Sequence, residues 1–225
     1  MNLQEALNSL HLAVQELAKA VVIDDKTPLG SALGLAEVSS LVGTGGENPD
    51  VVVFGDLNRF KGINDRFGHA AGDVAISTVG NLIQQLFVQG CNAQAFRRSG
   101  DEFVILLSAN RLEDFKSHLK SFAPCPFNFE GIIHLTAMSF GYALTEGEID
   151  FGVMLARAET ACQSAKAEGD GICVAWSREL EQDVLIHLRD RCPSCSAQIK
   201  INVPQATAPK DNKLLSCPCC GNKLP

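Results

Sequence analysis

The chain has 225 residues, 46% of them hydrophobic and 20% charged, which suits one medium domain with a small appendage and excludes a long disordered tail. No stretch reaches the roughly 18 apolar residues of a membrane span, and the N-terminus lacks the basic start and apolar run of a secretory signal; a cytoplasmic location with no membrane partner is expected. The formal net charge of −7 is uneven: Arg191, Lys200, Lys210, Lys213 and Lys223 against Asp211 give the tail +4 and leave the first 190 residues at −11, a poor footprint for a general nucleic-acid binder.

Leu3, Leu7, Leu10, Val14, Leu17 and Val21 step by four and three, the spacing of a short helical seam over residues 3–21 that suits either dimerisation or packing on the protein's own core. Residues 31–49, with Gly34, Gly43, Gly45 and Gly46, include a loop before the first strand. Asp50 to Phe54 reads as a short buried strand. A loop follows, then a helix from about Gly72 to Phe87 with Ile76, Val79, Ile83 and Leu86 on one face. Ala93 to Arg98 and Glu102 to Leu107 are two strands joined by Ser99-Gly100-Asp101, a tight hairpin with Gly100 supplying the unusual backbone angles. Helices are expected at Leu112–Phe122 and Met154–Lys166, a long strand at Ile132–Leu144, a last strand at Gly171–Trp176 and a linker helix over 177–190. The order β-α-β-β-α-β-α-β, with an antiparallel hairpin inside a mixed sheet and helices on one face, is an α+β fold.

Five of the nine cysteines crowd into the tail. Cys192-Pro-Ser-Cys195 and Cys217-Pro-Cys219-Cys220 form two C-x2-C knuckles 21 residues apart, the tetrahedral thiolate arrangement of structural Zn2+. Cys192, Cys195, Cys217 and Cys220 are the expected ligands, with Cys219 a competitor for the fourth place. The segment resembles a zinc ribbon, and a piece this short needs such a staple to fold. Its basic charge slightly favours an anionic partner, with an unidentified protein the alternative. Cys91, Cys125, Cys162 and Cys173 read as core or surface thiols.

Asp56 follows an apolar strand, and Asp101 and Glu102 lie at the hairpin turn. If these strands are neighbours, the acids meet at one end of the sheet, where a hard divalent cation would neutralise them. The run from Asp56 to Asp73 fits D-x-(D/N)-x-F-K-x-x-N-D-x-x-G-H-x-x-G-D across eighteen residues, and the hairpin reads SGDEF. With Thr136-x-x-Ser139-x-Gly141-x-Ala143 and Ala165-Lys166-x-x-Gly169, the chain resembles the GGDEF family of diguanylate cyclases over roughly residues 20–178.

The resemblance implies a fold like the palm of nucleotide cyclases and polymerases, and a domain plan of an N-terminal helix (1–22), a catalytic domain (23–178), a linker helix (179–190) and a zinc-ribbon-like tail (191–225). It implies GTP as substrate, a homodimer for catalysis and cyclic di-GMP as product. By match, Asp56, the Leu57 carbonyl, Asp101 and Glu102 would hold Mg2+ or Mn2+, and Asp101 or Glu102 would lie near the attacking hydroxyl. Lys61 and Lys166 would neutralise phosphate charge, Asn64 and Asp73 would read the guanine edge, and Phe60 would border the substrate. Four departures stand out. Ser99 replaces the first glycine of the hairpin. The opening D-x-L-T-G-L-x-N-R motif is degraded around Asp25. Asp170 stands where a phosphate-facing arginine is usual. Gly90 and Ala93 replace an inhibitory R-x-x-D pair. These leave two other readings open: a turnover-dead module that binds GTP or a cyclic nucleotide, and a palm enzyme with a different cyclic product.

Overall fold

A computed structural model describes residues 5, 22–43, 48–145 and 150–182. The chain divides into two units, residues 1–176 and 177–225. The expected seam over residues 3–21 lies outside the described residues apart from Glu5, which is helical, and so do the cysteine tail and most of the linker helix. No helix among the described residues is long and apolar enough to cross a membrane.

The elements of the first unit run α1 (Ala32–Leu41), β1 (Val51–Leu57), α2 (Phe60–Phe67), α3 (His69–Ile83), β2 (Gln94–Ser99), β3 (Glu102–Leu107), α4 (Leu112–His118), β4 (Cys125–Phe129), β5 (Ile132–Thr136), β6 (Met138–Leu144), α5 (Phe151–Glu168) and β7 (Cys173–Ala175); the second unit holds α6 (Arg178–Gln182). Five strands form one sheet in the order β2-β3-β1-β6-β7, and β4 and β5 form a separate hairpin. β1 is antiparallel to both β3 and β6, while β7 joins β6 in parallel. This is the palm-like α+β fold that the element order and the resemblance imply.

The apolar run Val51-Val-Val-Phe54 makes β1 central, because its alternate side chains serve two cores. Val51 and Val53 pack with Ile76, Val79, Ile83 and Phe87 of the α3 side, where a π-helical turn (Gln84–Gln89) continues α3. Val52 and Phe54 pack with Leu35 of α1 and with Met154, Ala158 and Cys162 of α5. Helices therefore cover both faces rather than the one expected. A strand with no polar alternation has no face fit for water.

Three differences from the expected elements have local causes. Within the segment around the expected loop, Ser31 accepts from the Gly34 amide at 3.2 Å and caps α1, so the loop is confined to the residues after it. α2 fills the expected loop before α3; it is only eight residues long, and its one apolar stripe, Phe60, Ile63 and Phe67, packs on the inner face of α3 and on Phe127. The single strand expected over Ile132–Leu144 breaks at Ala137, whose carbonyl accepts from the Asn58 amide at 2.8 Å, and β5 turns away to pair with the unforeseen β4.

Candidate active site

β1 delivers Asp56 to its C-terminal end, where the residue lies opposite Glu102 of β3 and opposite Ser139 of β6. The next amide, that of Leu57, donates to the Asp101 carbonyl at 3.2 Å. Asp56, Asp101 and Glu102 thus converge as the apolar strands require. Gly100 turns the hairpin with φ +44, a left-handed angle that glycine adopts without strain.

Burial is the main reason that the Asp56 carboxyl is held above its ordinary range, with repulsion from Asp101 and Glu102 adding to it and the Lys166 ammonium opposing it. Lys166 forms an ion pair with Asp56 from the last turn of α5. Asp101 is raised as well, again chiefly by burial, with Glu102 contributing and its own backbone amide, Lys166 and Arg97 opposing. Ser99 turns its hydroxyl to donate to Glu102 Oε2 at 2.7 Å, so the side chain that replaces a glycine is engaged within the hairpin.

The second group of residues surrounds α2 and α3. Gly72 lets α3 approach Asn64: a Cβ at position 72 would overlap Asn64 Oδ1 and lie 3.1 Å from the Phe60 ring. Asn64 Oδ1 is buried with no hydrogen-bond partner among the described residues. Phe60 is half-buried against the core, Lys61 is exposed in the first turn of α2, and Leu57 is buried. Asp73, in α3, pairs with Lys26 at 2.5 Å.

Lys26 belongs to a segment that sequence reasoning placed poorly. The anchor there is Asp24 rather than Asp25. Its carboxylate accepts from the Thr27 hydroxyl at 2.9 Å and from Arg97 Nη1 at 3.1 Å, and the Asp24 and Arg97 side chains are each 11% exposed. Arg97 Nε also donates to the Gly100 carbonyl at 2.9 Å, so one guanidinium fastens both the β2–β3 hairpin and the segment carrying Lys26. An arginine beside buried Ala95 and Phe96 was the available sign that a buried acid had to exist.

Asp170 is the other position where structure changes the reading. It accepts from Asn58 Nδ2 at 2.8 Å and pairs with Arg59 at 3.4 Å. The carboxylate is therefore not bare beside the site.

No three His, Cys, Asp or Glu side chains among the described residues form a cage that could hold a metal by themselves. Magnesium does not need one, since it takes one or two carboxylates and completes its shell with phosphate oxygens and water. The all-oxygen set of Asp56 and Asp101, with the Leu57 carbonyl near by in sequence, fits that habit. The four described cysteines are poor alternatives: burial pushes the Cys162 and Cys173 thiols up to about 12 and also raises Cys91 and Cys125.

The diguanylate cyclase GGDEF-domain family matches residues 35–171. Among curated proteins, the diguanylate cyclase DgcP of Pseudomonas aeruginosa is 34% identical over 118 residues, covering 51% of this chain and 17% of that protein. The chain thus spans only a small part of that relative's length. Among solved structures, the isolated GGDEF domain of TpbB from Pseudomonas aeruginosa superposes with a TM-score of 0.60 at 27% identity, covering 71% of this chain and 96% of that one. The coiled coil and GGDEF domain of DgcB from Caulobacter crescentus reaches a TM-score of 0.63 at 18% identity over 76% of this chain and 94% of that one, a likeness of fold. With more than half its length matched and the signature acids gathered at one end of the sheet, the chain belongs to the GGDEF family of diguanylate cyclase domains.

Proposed function

We propose that this chain is a diguanylate cyclase that condenses two GTP molecules into cyclic di-GMP and pyrophosphate as a homodimer. The observation that carries the reading is the convergence of Asp56, Asp101 and Glu102 with the Lys166 ammonium already seated on Asp56. In this reading each domain holds one GTP, the 3′-hydroxyl of one attacks the α-phosphate of the other, and pyrophosphate leaves; a second such step closes the ring. Asp56, the Leu57 carbonyl, Asp101 and Glu102 would hold Mg2+ or Mn2+, which when bound would supply positive charge for the polyphosphate and lower the pKa of the attacking hydroxyl. Asp101 or Glu102 stands near the proton that the hydroxyl loses. Lys61 and Lys166 neutralise phosphate charge as it develops.

Asn64 and Asp73 select the base. Asp73 accepts from the N1 and N2 donors of guanine, and the unpartnered Asn64 Oδ1 is an acceptor waiting for a donor of the same kind. Adenine lacks that donor pair. Replacing Asp73 with Asn should therefore lower the preference for GTP over ATP by at least about tenfold, measured as a ratio of kcat/KM values; an unchanged ratio removes Asp73 from base recognition.

The deciding experiment incubates the protein with magnesium or manganese and each nucleoside triphosphate, singly and mixed, and identifies products by mass spectrometry. Cyclic di-GMP from GTP alone is the expected result. An adenine-containing product would assign a different cyclic nucleotide, and GTP binding without product would make the domain a receptor.

For the tail we propose structural zinc on Cys192, Cys195, Cys217 and Cys220, resting on the knuckle spacing alone. One zinc per chain by elemental analysis is expected, with loss on Cys192→Ser. Retention of stoichiometric zinc in that variant contradicts the ligand set. The tail's partner is a protein or an anionic molecule.

A further inference from the structure

The turn between β1 and α2 carries an arginine in an uncommon state. Arg59 has φ +58, a left-handed conformation that is strained for a non-glycine residue. Such strain in a native fold is a reason to look for a role at that turn. Arg59 also stands at the N-terminal end of α2, where no side chain caps the free amides. Its side chain is 83% exposed, yet it is directed by Asp170. Asp170 is itself fixed, because Asn58 Nδ2 donates both to Asp170 Oδ1 at 2.8 Å and to Ser139 Oγ at 3.0 Å. Ser139 is the β6 residue opposite Asp56, so the Arg59–Asp170 pair lies beside the carboxylate cluster. A cavity of about 460 Å³ lined by Asn58, Arg59, Ile63, Thr136, Ala137 and Asp170 opens at the pair.

The charge arrangement needs an explanation. Asp170, joined through Asn58 to the Ser139 that faces Asp56, sets a further carboxylate on the side of a site that in the cyclase reading accepts a polyanion. Lys166 is already engaged with Asp56. An unneutralised Asp170 would oppose a triphosphate, and Arg59 is the cation that the structure sets against it. Its guanidinium has five donors, and one ion pair occupies only part of them.

Building on the cyclase reading, we propose that Arg59 binds the polyphosphate end of the nucleotide, with Asp170 as its positioning residue. Arg59 takes part through two effects: it cancels the Asp170 charge, and it presents its remaining N–H donors toward phosphate oxygens at the uncapped start of α2. The aspartate then serves as the holder of a displaced arginine rather than as a lesion in the site.

The test uses the full chain with magnesium and 3′-deoxy-GTP, which lacks the attacking hydroxyl and cannot be condensed, with GMP as the comparison ligand. Arg59→Ala should weaken 3′-deoxy-GTP about tenfold, the worth of one charge-assisted contact, and leave GMP within about twofold. Arg59→Gly, which suits the left-handed turn, should show the same selective loss. In an Asp170→Asn background the cost of removing Arg59 should shrink, because the charge that it cancels is gone. Unchanged triphosphate affinity in both Arg59 variants overturns the proposal, as does equal weakening of GMP. An undiminished cost in the Asp170→Asn background overturns the positioning role. If the unsubstituted chain fails to bind 3′-deoxy-GTP, the nucleotide reading itself falls, and this proposal with it.

Discussion

Asp101→Asn is expected to reduce cyclic di-GMP formation by at least about a thousandfold while leaving the fold intact. The side chain is a metal-facing carboxylate in the proposed mechanism. Its structural tie, by contrast, runs through the backbone, since the Asp101 carbonyl rather than its carboxylate accepts from the Leu57 amide. The substitution keeps shape and removes charge. Because burial, followed by Glu102, raises the Asp101 pKa in the folded state, the native protein binds this proton more tightly than the unfolded chain does. Stability from this group is then lost as pH rises from about 4 through the raised value. Ionised Asp101 is destabilising at neutral pH in the metal-free protein, so the Asn variant should melt at the same temperature or higher at pH 7, and this advantage should vanish below about pH 4. A metal-free variant that melts well below the parent at pH 7 would contradict this account. Residual activity within about tenfold of the parent would remove Asp101 from the metal site.

Gly141→Ala is expected to destabilise the domain by about 3 kcal/mol or more, read from denaturant midpoints at equal slope. Gly141 lies in β6 where α5 crosses the sheet. A Cβ there would overlap the backbone of Ala158 and Cys162 and lie 2.5 Å from the Ala161 carbonyl carbon. Backbone cannot move aside as a flexible side chain can, so strand and helix must separate. α5 carries Lys166, so the loss extends to the ion pair on Asp56. Gly62 in α2 gives the contrast: nothing lies within 4 Å of a Cβ built there, and Gly62→Ala should be neutral or stabilise by up to about 1 kcal/mol. Equal effects at the two positions would sink the steric argument.

Much of the site was legible because its residues are close in sequence or carried by strong local patterns. The apolar run before Asp56, the SGDEF turn and the spacing from Asp56 to Asp73 identify β1, the hairpin and the acids without tertiary information. Lys166 and Asn64 followed from the same matched motifs. α2 was missed because its stripe of Phe60, Ile63 and Phe67 spans only two turns, too short a run to stand out from a loop, and α1 because its cap, Ser31, sits in a segment that reads as a loop. The zinc reading of the cysteine tail rests on its knuckle spacing, and those cysteines lie outside the described residues.

The sequence by itself determined the family, the strand that becomes central and the carboxylates that meet at its end, because apolar runs and fixed spacings are local properties. Only the tertiary structure decided how the charges are settled. Asp24 finds Arg97 across 73 positions, Asn58 finds Asp170 across 112, and Asp73 finds Lys26 across 47. Pairing over such separations follows from which backbones the core brings together. No local pattern encodes it, so Asp170 reads in the sequence as a carboxylate opposed to phosphate and in the fold as the anchor of Arg59.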